Sequence, residues 1–252
     1  MSDVTVSRAP QGMPRPDIDP RFHKLLAHAD DNLILAHRLG EWISKAPELE
    51  IDIALGNFAL DHLGVARSLL QHAGQIEDEG RDEDDLAMLR TDREFFNLLL
   101  VEQPNGDFAH SIVRQFFIDC YQLQLWPDLA TSDDIVVAGV AAKAVKEADY
   151  HFRFSRGWML RMGDGTDESH VRAQTAVNDL WRFTGEIFED DNGGYRSGWD
   201  QLIGETFEEA GLSIPDDPYQ KAGGRVGYHT EHLGYLLTEM QWMQRTYPGV
   251  EW

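Results

Sequence analysis

The chain has 252 residues, 42% of them hydrophobic, with 22 basic against 44 acidic side chains and a formal charge of −22. That is enough apolar material for one large core and excludes general disorder. The negative field excludes nucleic acid and anionic membrane surfaces as ligands, no window approaches about 18 uninterrupted apolar residues, and the start lacks the basic and apolar regions of a signal peptide, so a cytoplasmic protein is expected.

Residues 1–20 carry Pro10, Pro14, Pro16 and Pro20 without an apolar period and read as a loosely attached arm. From residue 21 to residue 252 a single helical domain is expected. Apolar residues recur three and four apart from Phe22 to about Ser44, through Leu25, Leu26, Ala29, Leu33, Ala36 and Ile43. Pro47 opens a second helix from about Glu48 to His72, which makes a helical hairpin. The acidic stretch Glu77 to Asp85 reads as a solvated loop, and Asp92 to Val101 as a short helical piece broken by Pro104, Asn105 and Gly106.

A third long helix is expected from Asp107 to Trp126, ended by Pro127, and a fourth from Ser132 to about Arg161. Thr166 opens a fifth to about Asp190, and shorter pieces follow at Gly198 to Ala210 and Thr230 to Arg245. Alternating strand patterns are absent beyond a few residues. The expected fold is all-α: two antiparallel helical hairpins forming a four-helix bundle core, with additional C-terminal helices packed around it.

Four acids, Asp31, Asp61, Asp119 and Glu147, each fall in the apolar stripe of a separate predicted helix, with gaps of 30, 58 and 28 residues. That cadence is close to a carboxylate-bridged di-iron bundle, which takes one carboxylate from each helix and, on two of them, a histidine three positions later. Here those two places hold Gly64 and Tyr150. His62 follows Asp61 by one residue, about 100° around the helix, and is expected to point away. His151 lies four after Glu147 and stays ambiguous.

Four buried carboxylates need neutralising, since desolvating each costs several kcal/mol. The leading expectation is therefore a degenerate, metal-free centre in which a basic residue stands among the acids. Lys143, four before Glu147, and Arg38, seven after Asp31, are the candidates, with Asn57, Gln115 and Gln122 as polar neighbours. The alternatives are an intact two-metal centre, which would make the chain an oxygenase or metal-binding ferritin-like protein in its own right, and acids that are exposed or unrelated.

Other motifs are weaker. Cys120, the single cysteine, excludes an internal disulfide and a cysteine-based metal site, and in an aromatic helix it reads as core filler. His229, Thr230, Glu231 and His232 lack the zincin spacing and read as a helix start. Gly223, Gly224, Arg225, Val226 and Gly227 follow no strand and lack the phosphate-loop lysine, so they read as a loop. Arg153, Arg156 and Arg161 share a helix with Phe152, Phe154 and Trp158, either as a partner surface or as ordinary exterior.

Four stretches also carry a family likeness. Residues 46–55 (APELEIDIAL), 97–106 (NLLLVEQPNG), 146–158 (KEADYHFRFSRGW) and 229–234 (HTEHLG) resemble the C subunits of bacterial phenylacetyl-CoA epoxidases, over roughly residues 22–252. The resemblance implies a ferritin-like fold and a place in a multicomponent monooxygenase of aerobic phenylacetate breakdown. In that family the related A subunit holds the di-iron centre and epoxidises the substrate ring with electrons from an NADPH-dependent flavin and iron–sulfur reductase. It implies for this chain no catalytic residue, no cofactor of its own, and the A subunit as partner. Gly64 and Tyr150 agree with that implication.

Overall fold

The computed structural model describes residues 19–189, 194–216 and 219–249, and among them every regular element is helical. The arm expected at residues 1–20 lies outside the described residues except for its last two. Helix α1 spans Pro20–Gly40, opened by Asp19, whose carboxylate accepts from Arg21 N, and by Pro20 in the first turn, where a missing N–H costs nothing. Helix α2, Leu49–Glu77, folds back antiparallel to α1 and packs along its length. The second hairpin is built of α4, Phe108–Leu129, and α5, Ile135–Gly163, with Asp107 and Asp134 as N-caps.

The four long helices stand close to their expected places, with boundaries moved by a few residues. Helix α4 runs past Pro127 to Leu129. The proline removes only one hydrogen bond near the end, while burial of Leu125 and Trp126 holds the last turn, where Ala130 N reaches Trp126 O at 2.9 Å. Part of the expected acidic loop folds into α3, Glu83–Met88, because Asp82 and Asp85 close a capping box.

The segment after α3 departs further from expectation. Only Asp92–Glu94 makes a 3-10 turn, and residues 95–101 form a buried irregular strap. Phe95, Leu98, Leu100 and Val101 are fully buried there. Backbone N–H groups so placed need acceptors. Acids supply them: Asp30 Oδ2 accepts from Phe96 N at 2.9 Å, Asp31 Oδ1 from Leu98 N at 2.7 Å, and Glu186 Oε2 from Leu99 N at 2.8 Å.

Beyond the bundle come α6 (Asp167–Leu180), two 3-10 turns through Phe188, α7 (Arg196–Ala210), α8 (Glu231–Met240) and α9 (Trp242–Thr246). Helices α6 and α7 cover α4 and α5 from outside. Phe116, Phe117 and Trp199 are among the largest buried side chains, and Trp199 Nε1 donates to Phe117 O at 2.9 Å. The strap and the 223–227 loop lie over α1, so α1 is buried nearly all round, Asp30, Asp31 and Asn32 included. Cys120 is buried in this core, and burial pushes its thiol far above the ordinary range.

Candidate functional site

The midline of the bundle is a polar network among apolar walls. Asn32 of α1, His62 of α2, Gln115, Asp119 and Gln122 of α4, and His151 and Ser155 of α5 are all buried. Asn32 Nδ2 donates to His28 O at 2.8 Å, leaving its Oδ1 to accept from His62 Nδ1, also at 2.8 Å, and from Gln122 Nε2 at 3.4 Å. His62 therefore carries its proton on Nδ1. Burial first, then the neighbouring His151, keep it neutral by holding its pKa well below the ordinary value.

Gln115 Nε2 links the two halves. It donates to Asp119 Oδ1 at 2.7 Å and faces His62 Nε2 at 3.5 Å, while Ser155 Oγ donates to Asp119 Oδ2 at 2.6 Å. Asp119 has no exposed surface, and burial raises its pKa to about 7 against the opposing pull of Ser155 and Gln115. At neutral pH the midline thus holds one acid near its titration point, with amides and neutral imidazoles around it.

His151 stacks at a tilt on Phe58, 4.0 Å between centroids, and stands 5.0 Å from His62. Its Nε2 faces Asp61 Oδ2 at 3.1 Å. Burial lowers the pKa of His151, with Asp61 acting in the other direction. Asp61 and Glu147 line the rim between α2 and α5, over a void of about 10 Å³, room for about one water molecule. Burial raises the pKa of Glu147, which Lys143 opposes and Asp61 reinforces.

Of the four acids expected to converge, only Asp119 occupies the midline. Asp61 and Glu147 sit at the rim, and His62, expected to point away, points in. Phe58 and Val65 lie three or four residues from both position 61 and position 62, so they cannot separate the two. Leu55 and Leu69, each seven from position 62, settle the face. Asp31 is buried on the other side of α1, where Arg225 holds it in a two-pronged pair at 3.0 and 2.8 Å. Asn32, one residue on, takes the midline place.

The expected neutralising residues also stand elsewhere. Lys143 reaches Glu147 at 3.2 Å, but from solvent, with its own side chain 71% exposed. Arg38 turns away from the midline to Glu102 O at 2.7 Å and Glu41 Oε1 at 2.8 Å. Gly64 has open space around it, and Tyr150 is half exposed with its ring edge on Phe58, so these two positions face outward. Among the described residues, no three His, Cys, Asp or Glu side chains come together in a metal-holding group.

Sequence reasoning missed Asn32, Ser155, Arg225, Glu102 and Glu186. Glu102, fully buried, accepts from His229 Nδ1 at 2.8 Å, Thr230 N at 2.6 Å and Asn97 Nδ2 at 2.9 Å. Thr230 is the N-cap residue of α8, as expected, but its hydroxyl donates to Glu102 and not back to the helix. Glu186 accepts from Gly223 N and Gly224 N, which ties the 223–227 loop to the strap. The available signal was three acids, at positions 30, 31 and 102, inside strongly apolar stretches. Of the α5 arginines, Arg156 pairs with Glu209, Arg153 pairs with Asp149 at 2.8 Å, and Arg161 lies over the Trp158 ring.

Comparison with known proteins gives two results. The model of the family described as "Phenylacetic acid catabolic protein" matches residues 4–252. The chain is also 48% identical over 237 residues to the C subunit of the 1,2-phenylacetyl-CoA epoxidase of Escherichia coli (strain K12), a match that covers 88% of this chain and 95% of that protein.

Proposed function

The chain belongs to the phenylacetic acid catabolic protein family, and from that premise we propose that it is a non-catalytic structural subunit of a multicomponent phenylacetyl-CoA epoxidase. In this role it binds the di-iron catalytic A subunit and holds its helices in shape. One observation carries the reading: the midline of the bundle is filled by a hydrogen-bonded, nearly neutral network of amides, imidazoles and a single carboxyl. A pair of metal ions needs several carboxylates and imidazoles with free lone pairs. The donor set here does not fit that need. Asp119 has both oxygens engaged by Ser155 and Gln115, and Asn32 Oδ1 is engaged by His62.

Rigidity is what such a centre supplies. Buried polar groups that hydrogen-bond across helices fix the register of the bundle, and a catalytic site on a neighbouring bundle benefits from a partner that does not deform. Among the described residues no helix is long and apolar enough to cross a membrane.

The test is co-expression with the di-iron subunit of the same complex, followed by size-exclusion chromatography and elemental analysis. The expected result is a stable hetero-oligomer, iron in proportion to the catalytic subunit alone, and no epoxidation by this chain on its own. Separate elution of the two chains at micromolar concentration overturns the partnership. Two tightly bound iron ions per isolated chain overturn the metal-free reading.

A further inference from the structure

Helix α2 buries one face in the bundle through Ile51, Leu55, Phe58, His62, Val65 and Leu69, and it presents a second periodic face to solvent. Leu49, Ile53, Gly56, Leu60, Leu63 and Arg67 follow one another at intervals of four, three, four, three and four residues. That is the seam of a two-stranded coiled coil, and it runs about 27 Å at 1.5 Å per residue. Its apolar members are 70%, 55%, 66% and 43% exposed at Leu49, Ile53, Leu60 and Leu63. A surface helix needs one such stripe to face its own core. The second one has no partner among the described residues.

The seam is complementary to itself. In an antiparallel pairing about a two-fold axis, Leu49 meets Arg67 of the second copy, Ile53 meets Leu63, and Gly56 meets Leu60. Large thus faces small at the middle, next to the axis. Nothing lies within 4 Å of where a Gly56 side chain would begin, so the space for Leu60 is open. The residues flanking the seam are Glu50, Asn57 and Gly64 on one side and Asp52, Ala59 and Ala66 on the other. Acids occur only at the N-terminal end, joined there by Glu48. That end is where the pairing delivers Arg67, whose side chain is 73% exposed and now reaches Glu83 at 3.2 Å.

We propose that α2 is the contact through which two copies of this chain associate, antiparallel, with Gly56 and Leu60 at the centre. Charge complementarity selects a second copy as the occupant: each Arg67 enters an acidic cluster, and the middle of the seam is neutral despite a chain charge of −22. A closed two-fold contact of this kind is isologous and ends at a dimer. The inference stands apart from the reading of the chain as an epoxidase subunit, since it uses only the surface of α2.

The test is sedimentation equilibrium on the full chain, alone, across a range of concentrations. The expected mass is twice the 28.6 kDa of one chain. Leu60→Glu, on an exposed position, is expected to return the mass to that of one chain while circular dichroism stays unchanged. Arg67→Glu is expected to weaken the dimer, and adding Glu50→Lys to restore it, a rescue that a merely structural role would not give. Asn57→Cys, beside the axis, is expected to give a covalent dimer with a short bifunctional maleimide, while Lys146→Cys gives none. A monomer at every concentration overturns the proposal. So does a dimer that Leu60→Glu leaves intact. A monomer whose binding to a different subunit is abolished by Leu60→Glu also overturns it, by giving the seam another occupant while leaving the partnership with that subunit standing.

Discussion

Asp31 and Arg225, 194 residues apart in the chain, form a buried two-pronged ion pair that fastens the 223–227 loop to helix α1. Arg225 Nη1 also donates to Phe96 O at 2.9 Å, and Asp31 Oδ1 accepts from Leu98 N, so the pair clamps the strap between loop and helix. Removing one partner of such a pair strands the other charge. Arg225→Ala is expected to cost about 3–5 kcal/mol of stability. Urea denaturation checks this, and the double variant Asp31→Asn with Arg225→Gln is expected to recover part of the loss, because no bare carboxylate is then buried.

Asp119 makes stability depend on pH in an unusual direction. Its folded pKa, near 7, lies above the ordinary value of 3.8, because burial disfavours the charged form. The folded state therefore holds the proton more tightly than the unfolded one. Stability from this group is fully present below about pH 4 and declines as pH rises through 7. Asp119→Asn, which cannot ionise, is expected to gain on the natural chain by about 1–3 kcal/mol between pH 5 and pH 8. Denaturation of both proteins at the two pH values reads the difference, and parallel pH profiles would refute it.

His229 carries the same sign, in a window that begins at a higher pH. Its Nδ1 faces Glu102 Oε2 and its Nε2 faces Phe95 O, each at 2.8 Å. Both partners are acceptors, so both ring nitrogens donate and the ring is an imidazolium. Burial opposes that charge, but the Glu102 bond and charge, with help from Phe95 O, raise the pKa above 6.5. The stabilisation is complete below pH 6.5 and lost as pH rises through the folded pKa. An NMR titration is expected to place His229 above the free imidazole value, while Glu102→Gln is expected to lower it and to destabilise the chain most at acid pH.

The helical bundle was legible in the sequence because its signals are local. Apolar spacing, caps at Asp107 and Asp134, and proline positions all act within a few residues. The midline was only partly legible. At positions 61 and 62, Phe58 and Val65 fit either face, and a one-residue difference moves a side chain by about 100°. Asp31 was read as facing the bundle because its counter-charge, Arg225, lies far along the chain in a stretch that reads as a plain loop. The strap at 95–101 was read as helical from its apolar content. Its shape depends instead on Asp30, Asp31 and Glu186, acceptors that no local pattern reveals.

Gly224 offers a steric test of that long-range architecture. A Cβ at this position would stand 2.1 Å from Asn97 O and 3.2 Å from Leu99 N, both backbone atoms of the strap. Backbone held by buried hydrogen bonds cannot yield as a flexible side chain does, and Gly224 N itself donates to Glu186 Oε1 at 2.6 Å. Gly224→Ala is therefore expected to push the loop off the strap, pulling Arg225 from Asp31 and costing about 2–4 kcal/mol, in the upper range for overpacking. Gly64→Ala, with nothing within 4 Å on a helix, is expected instead to be neutral or stabilising by up to about 1 kcal/mol. Thermal unfolding of the two variants side by side decides the matter, and equal melting temperatures would show that the loop does not hold the strap.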